Sequence, residues 1–181
     1  MDAFESLVGF LLEKEGYWVR RNLKVELTPE DKKKIKRPTS PRWEVDVLAY
    51  KAKSNELLVV ECKSYLDSTG VRAHGLDGTN ADAGQQYKLF NDSTLRKVIL
   101  ARLVKQLVSY GLCAPRPTVT LCLAAGNIAS ETDRESIGKI CERHGWRLYD
   151  DAWIKEKLLR LSRSGYENDV ASYVAKILLR K

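Results

Sequence analysis

The stretch Trp43–Lys63, WEVDVLAYKAKSNELLVVECK, constrains the fold more than any other part of the chain. From Trp43 to Tyr50 the residues alternate, so Trp43, Val45, Val47 and Ala49 are expected on one face and Glu44, Asp46, Leu48 and Tyr50 on the other. Lys51–Glu56 is polar and carries Ser54-Asn55, which suits a turn. Leu57–Val60 is then an apolar run that closes in Glu61-Cys62-Lys63. Two strands joined as a hairpin follow. Because a strand repeats every two residues, Glu61 and Lys63 share a face and Cys62 takes the opposite one. If the strands pair about that turn, Asp46 comes to lie near Glu61. Two carboxylates and an ammonium at the end of an apolar strand are costly unless something binds there. A divalent cation answers that need. Mg²⁺ takes hard oxygen ligands from one or two carboxylates and keeps waters for a substrate phosphate.

Composition bounds the rest. With 181 residues, 44% hydrophobic and 30% charged, the chain is expected to form one domain over residues 1–181 with a sizeable core. No apolar run approaches membrane-spanning length, and the first residues lack the basic leader of a secretory signal. Cys62, Cys113, Cys122 and Cys141 are scattered without a Cys-x-x-Cys pair, which favours buried thiols in a reducing cytoplasm over disulfides or zinc. A formal charge of +7 tilts the expectation toward a polyanionic partner. His74 and His144 are the only histidines, too few for histidine-based catalysis, and are read as ordinary polar residues.

Along the chain, Phe4, Leu7, Val8, Leu11 and Leu12 mark a helix that stops at Gly16, with Glu5 at the margin of the apolar stripe. Tyr17–Leu27 alternates as a first strand. In the basic loop 28–42, Pro29, Pro38 and Pro41 argue against any regular element. Its cations Lys32, Lys33, Lys34, Lys36, Arg37 and Arg42 suit a flexible arm that meets phosphates. The insertion 65–91 is rich in Gly, Asp and Asn and shows little periodicity. Ser93–Tyr110 is a long helix with a polar ridge of Arg102, Gln106 and Tyr110 at every fourth position. Thr118–Leu123 is a strand, Ser130–His144 a helix, Trp146–Tyr149 a strand and Asp150–Leu161 a helix. A last amphipathic helix, Glu167–Leu179, completes the helical part 150–181 with Tyr173, Val174, Ile177 and Leu178 on its apolar face. The expected class is α/β, a central mixed β-sheet flanked by helices.

Asp46, fourteen intervening residues and Glu61-Cys62-Lys63 resemble the core of the PD-(D/E)XK, or restriction-endonuclease-like, nuclease superfamily. The bare Asp/Glu-x-Lys pattern occurs three times, but only this copy closes an apolar strand that follows a strand bearing an aspartate. The opening FESLVGFLLEKEGYWVRRN, with Glu5 eleven residues before Gly16, is similar to that of Holliday-junction resolvases and Mrr-like members. QLVSY, with Gln106 and Tyr110, resembles the Gln-x-x-x-Tyr of RecB-type nucleases. One departure is Val45 where the superfamily's name has proline.

The resemblance implies an αβββαβ core with extra C-terminal helices and a DNA endonuclease dependent on Mg²⁺, with Mn²⁺ able to substitute. It implies metal ligation by Asp46, Glu61 and the Cys62 carbonyl, with Glu5 as an outer ligand or the holder of a second ion. Lys63 would orient water or offset charge, and Gln106 would position water or backbone. DNA contacts would come from the basic arm, Arg102 and Tyr110. RNA as substrate, a homodimer, and a sequence-specific against a junction-selective enzyme all stay open. Two other classes remain beside it: an inactive nucleic-acid-binding module on the same fold, and a structural domain in which Lys63 merely pairs with an acid.

Overall fold

The computed structural model describes residues 2–37, 39, 42–78 and 85–179. Helix α1 (Ala3–Lys14) leads into strand β1 (Trp18–Glu26), a short α2 (Pro29–Lys34), and the hairpin of β2 (Arg42–Lys51) and β3 (Glu56–Lys63). Short helices α3 (Ala73–Leu76) and α4 (Lys88–Asn91) precede the long α5 (Ser93–Ser109). Then come β4 (Thr118–Ala125), α6 (Glu131–His144), β5 (Arg147–Tyr149), α7 (Asp151–Ser162) and α8 (Val170–Leu179). The five strands form one mixed sheet in the order β1-β2-β3-β4-β5. The first three run antiparallel and the last three parallel, as expected for a hairpin followed by two helical crossovers. Among the described residues no helix is long and apolar enough to cross a membrane.

Strict alternation along β3 and β4 feeds two cores. Leu57, Val59, Leu121 and Leu123 pack with Leu95, Ile99, Leu103 and Leu107 of α5 and with Ile137 and Cys141 of α6. Leu58, Val60, Cys122 and Ala124 pack on the other face with Phe4, Val8, Leu11 and Leu12 of α1 and with Ile154 and Leu161 of α7. Leu11 and Leu12 are almost wholly buried, so truncating either to Ala would cost about 2–5 kcal/mol. That burial fixes α1 against the sheet, and the Asp2 carboxylate caps its start by accepting from the Phe4 N–H at 2.7 Å. Glu5, one turn in, is thereby held over the end of the sheet where β3 finishes.

Four expectations are corrected. Trp43, Val45, Val47 and Ala49 do not share a face: Trp43 and Val45 join the α5 core, Val47 and Ala49 the α1 core. Strand β1 changes sides with β2, Val19 lying with α1 and Leu23 and Val25 with α5. The switch falls at Asn22, which stands between the pairs Arg21↔Val47 and Leu23↔Val45 and so opposite Asp46. Asn22 has φ 52°, a left-handed conformation that turns the pleat over and that Asn tolerates better than most residues.

The basic loop contains a helix after all. Pro29 occupies the first turn of α2, where its missing N–H costs nothing, and Thr28 and Asp31 form a reciprocal capping box. Pro38 and Pro41 lie outside the described residues. Nor is the 65–91 insertion a plain loop. Its described part holds α3, α4 and a 3₁₀ turn at Gln85–Tyr87, and it buries Val71, Leu76, Tyr87, Leu89 and Phe90. Finally, α8 turns Val170, Tyr173, Val174, Ile177 and Leu178 outward and buries only Ser172 and Ala175, small residues that let it lie close to its neighbours.

Candidate active site at the end of strand β3

Register puts Asp46 across from Glu61, one step beyond the pair Val47↔Val60. The Cys62 N–H donates to Asp46 Oδ2 at 2.7 Å, so the β3 backbone itself aims the carboxylate. Lys63 Nζ donates to Glu61 Oε1 at 2.9 Å. The Tyr87 ring lies beside this ammonium, its centroid 5.8 Å from Nζ. From α1, Glu5 Oε2 accepts from Asn22 Nδ2 at 3.0 Å, and the same amide reaches Glu44 Oε1 at 3.3 Å. Asn22 thus serves twice, turning the strand over and holding Glu5. Its signal in the sequence is a lone amide inside the strand WVRRNLKVE.

The charges do not balance. Burial pushes the Glu61 carboxyl above the usual range, the Lys63 ammonium pulls it back, and the Asp46 charge adds to the rise. Burial likewise raises Asp46, against the opposing pull of the Cys62 N–H and Lys63. Glu5 is raised by burial and by Asp46, with the Asn22 hydrogen bond opposing. For Lys63, burial favours the neutral amine, but the adjacent Glu61 and Asp46 outweigh it and hold the proton on. Both members of the Glu61–Lys63 pair therefore move upward, which an isolated ion pair would not do. Burial is the first cause of the rise in Glu61 and the Asp46 and Glu5 charges add to it, while Glu61 and Asp46 together hold the proton on Lys63. Cys62 is raised by burial and by the same acids, so it is an inert thiol facing the α1 side.

The chain leaves this corner under tight constraint. Gly126, which follows β4, donates its N–H to the Lys63 carbonyl at 2.9 Å, and a Cβ there would collide with the Ser64 carbonyl oxygen. Tyr65 adopts φ 43°, an outlier for a bulky residue.

Other expected residues are engaged elsewhere. Gln106 accepts from the Glu26 N–H at 2.9 Å and donates to the Lys24 carbonyl at 3.0 Å, so both ends of its amide brace β1. Arg102 donates to the Glu26 carbonyl at 3.0 Å and pairs with Asp31 at 3.4 Å. Tyr110 caps α5 and is exposed. Lys33, Lys34, Lys36 and Arg42 are exposed, Lys32 is half-buried, and Arg37 lies over the Trp43 ring. Strands β1 and β3 run in the same direction, so α2 emerges at the end of the sheet that carries Glu61. The cysteines are free thiols, Cys113, Cys122 and Cys141 buried and Cys62 half-buried.

Among the described residues no three His, Cys, Asp or Glu side chains form a cluster able to hold a metal ion by themselves. Two carboxylates with a backbone carbonyl and waters are nonetheless a sufficient set for Mg²⁺. The surplus of buried negative charge fits such a cation, with Glu5 outside the inner set. The chain matches no family model, no curated protein and no solved structure.

Proposed function

We propose that the chain is a metal-dependent nuclease that hydrolyses phosphodiester bonds in DNA. The observation that carries this is that, among the described residues, the buried carboxylates Asp46 and Glu61 at the end of β3 share one protonated lysine, Lys63. Support comes also from the resemblance of Asp46 and Glu61-Cys62-Lys63 to the restriction-endonuclease-like superfamily, and from the order α1, β1, β2, β3, α5, β4 around them, with the short α2, α3 and α4 interposed.

Asp46, Glu61 and the Cys62 carbonyl would hold Mg²⁺ or Mn²⁺, with Glu5 acting through a bound water. The ion, when bound, supplies charge neutralisation of the phosphate and a more acidic water. Lys63 keeps its proton, so it acts as a cation and donor toward developing negative charge and not as a base. Glu61 fixes that ammonium, and Asn22 fixes Glu5. Gln106 supports the strand and stays out of the chemistry, while α2 and Arg42 would carry phosphate contacts that add affinity without reading sequence.

The test is incubation with duplex, junction, flap and single-stranded DNAs, and RNA as control, in Mg²⁺, in Mn²⁺ or in excess chelator. Cleavage of DNA is expected that needs metal and vanishes in Asp46→Ala and Glu61→Ala. Cleavage that survives chelator, or no cleavage of any substrate, would overturn the proposal.

A further inference from the structure

Behind the Tyr65–Tyr87 wall of the site lies a second depression, of about 230 Å³. It is smaller than the ~300–1,000 Å³ of sites for drug-sized ligands. Tyr65, Gln86, Tyr87, Ser68, Arg72 and His74 line it, and Tyr87 is the ring that also lies beside Lys63. The pocket is built and held. The Val71 N–H bonds the Asn127 carbonyl at 2.9 Å and the Ala129 N–H bonds the Val71 carbonyl at 3.0 Å, which attaches the loop to the chain beyond β4. Gly70, at φ 91°, lets that loop come against the Ile128–Ala129 backbone, where a Cβ would stand 2.8 Å from the Ala129 nitrogen. Asp133 accepts from the Ala73 N–H at 2.9 Å and lies close to the Arg72 guanidinium, fixing the turn that presents Arg72 and His74. On the other side, the Tyr65 hydroxyl bonds the Gln86 amide oxygen, which holds Tyr65 in its strained conformation.

We propose that this depression is a subsite for one unpaired nucleotide of the strand being cut; this rests on the nuclease reading. Arg72 and His74 offer donors to a phosphate, and the hydroxyl of Ser68 can add a third. Gln86 and Tyr65 offer an amide and an aromatic edge to a base or sugar. The depression takes the phosphate and part of the nucleoside of one nucleotide and leaves no room for a base pair. Sharing a wall with Lys63, the pocket receives the nucleotide next to the scissile phosphate, and the enzyme acts where the duplex is interrupted, at a flap, junction or frayed end.

The probe is the dinucleotide pTpT, titrated without metal into the ¹⁵N-labelled chain, with inorganic phosphate in parallel. Saturable shifts are expected at the amides of Ser68–Gly75 and of Gln86 and Tyr87. Arg72→Ala and His74→Ala should each weaken binding about tenfold, and Arg163→Ala, at the exposed residue that follows α7, should leave it within about twofold. Unchanged affinity in both pocket variants, with melting temperatures showing them folded, or shifts confined to α2 and α5, overturns the subsite. Equal shifts with inorganic phosphate reduce it to an anion site and overturn the nucleotide assignment. The two proposals fail separately. pTpT binding in the pocket by a chain that cuts nothing removes the nuclease and keeps the nucleotide site. DNA cleavage with a silent pocket does the reverse.

Discussion

Strand β3 carries a glutamate near each end, and the two fare in opposite ways. Their side chains are similarly shielded from solvent, Glu56 16% exposed and Glu61 17%. Glu56 accepts from the Tyr17 hydroxyl at 2.6 Å and pairs with Arg147 at 2.5 Å, while Lys51 lies over the Tyr17 ring. Burial raises its pKa, but Tyr17 and Arg147 outweigh burial and hold it below the usual range. Glu61 sits deeper in the protein and shares one lysine with Asp46 and Glu5, so its pKa rises. One end of the strand is electrostatically complete and the other is short of positive charge. A fold can close itself with ion pairs, as it does at Glu56. Leaving the deficit at Glu61 makes sense where something else is to supply the missing charge.

Three measurements bear on that contrast. The largest effect is expected at Lys63. Lys63→Ala should slow single-turnover DNA cleavage by ~10²–10³ while binding stays within a few-fold, because in the proposed reaction the ammonium would act where charge develops. If cleavage runs at the wild-type rate, the deficit at Glu61 has no catalytic meaning and the contrast is only structural. An intermediate effect is expected at the complete end. Glu56→Gln strips Arg147 and Tyr17 of their anion and should cost about 1–2 kcal/mol, discounted because Arg147 is partly exposed. For a chain of this size, that lowers the melting temperature by roughly 2–8 °C. The Glu56 pKa is depressed, so its contribution is full above the ordinary carboxylate value and is lost as pH falls through the lowered one. The gap between Glu56→Gln and wild type should therefore close in acid, and a gap independent of pH would refute the electrostatic account.

The smallest effect has the opposite sign. Asp46 is raised by burial, so its stability contribution is full below the ordinary carboxylate value and is lost as pH rises through the raised one. At neutral pH the ionised group is a burden that Asp46→Asn removes, keeping an oxygen for the Cys62 N–H. That variant should melt roughly 1–3 °C above wild type at neutral pH without metal, with the advantage fading in acid. Mg²⁺ should raise the wild-type melting temperature and leave Asp46→Asn nearly unmoved. A variant less stable than wild type at neutral pH would show Asp46 to be satisfied as it stands.

The hairpin was legible because two independent signals coincide in it. Leu57–Val60 is too short and too apolar for anything but an inner strand, and the period of two then ties Glu61 to Lys63. Helix α5 announced itself through periodicity and the Asp92 cap, which accepts from the Leu95 N–H at 2.8 Å. What stayed hidden depends on partners distant in sequence or on single backbone angles. The Gln106 amide meets a backbone N–H 80 residues away, so its spacing from Tyr110 could not reveal a bracing task. One left-handed residue, Asn22, reverses the faces of two strands, and alternation carries no trace of it. Helices of four residues, such as α3 and α4, are too short to show a period. The outward face of α8 is invisible to a pattern that registers amphipathicity but not direction.

The bracing of β1 by α5 has a consequence for the protein in a crowded solution. An outer strand presents a row of unpaired N–H and C=O groups, which any stray extended peptide can extend into a longer sheet. Here the Lys24 carbonyl and the Glu26 N–H and carbonyl are already occupied, by Gln106 and Arg102. Side chains of a helix stand in for the missing neighbour strand, and they do so along the half of β1 that leads to the carboxylates. At the opposite border, β5 is only three residues long and gives an intruder little to zip onto. The braced half of β1 and the short β5 thus each give an added strand little to pair with.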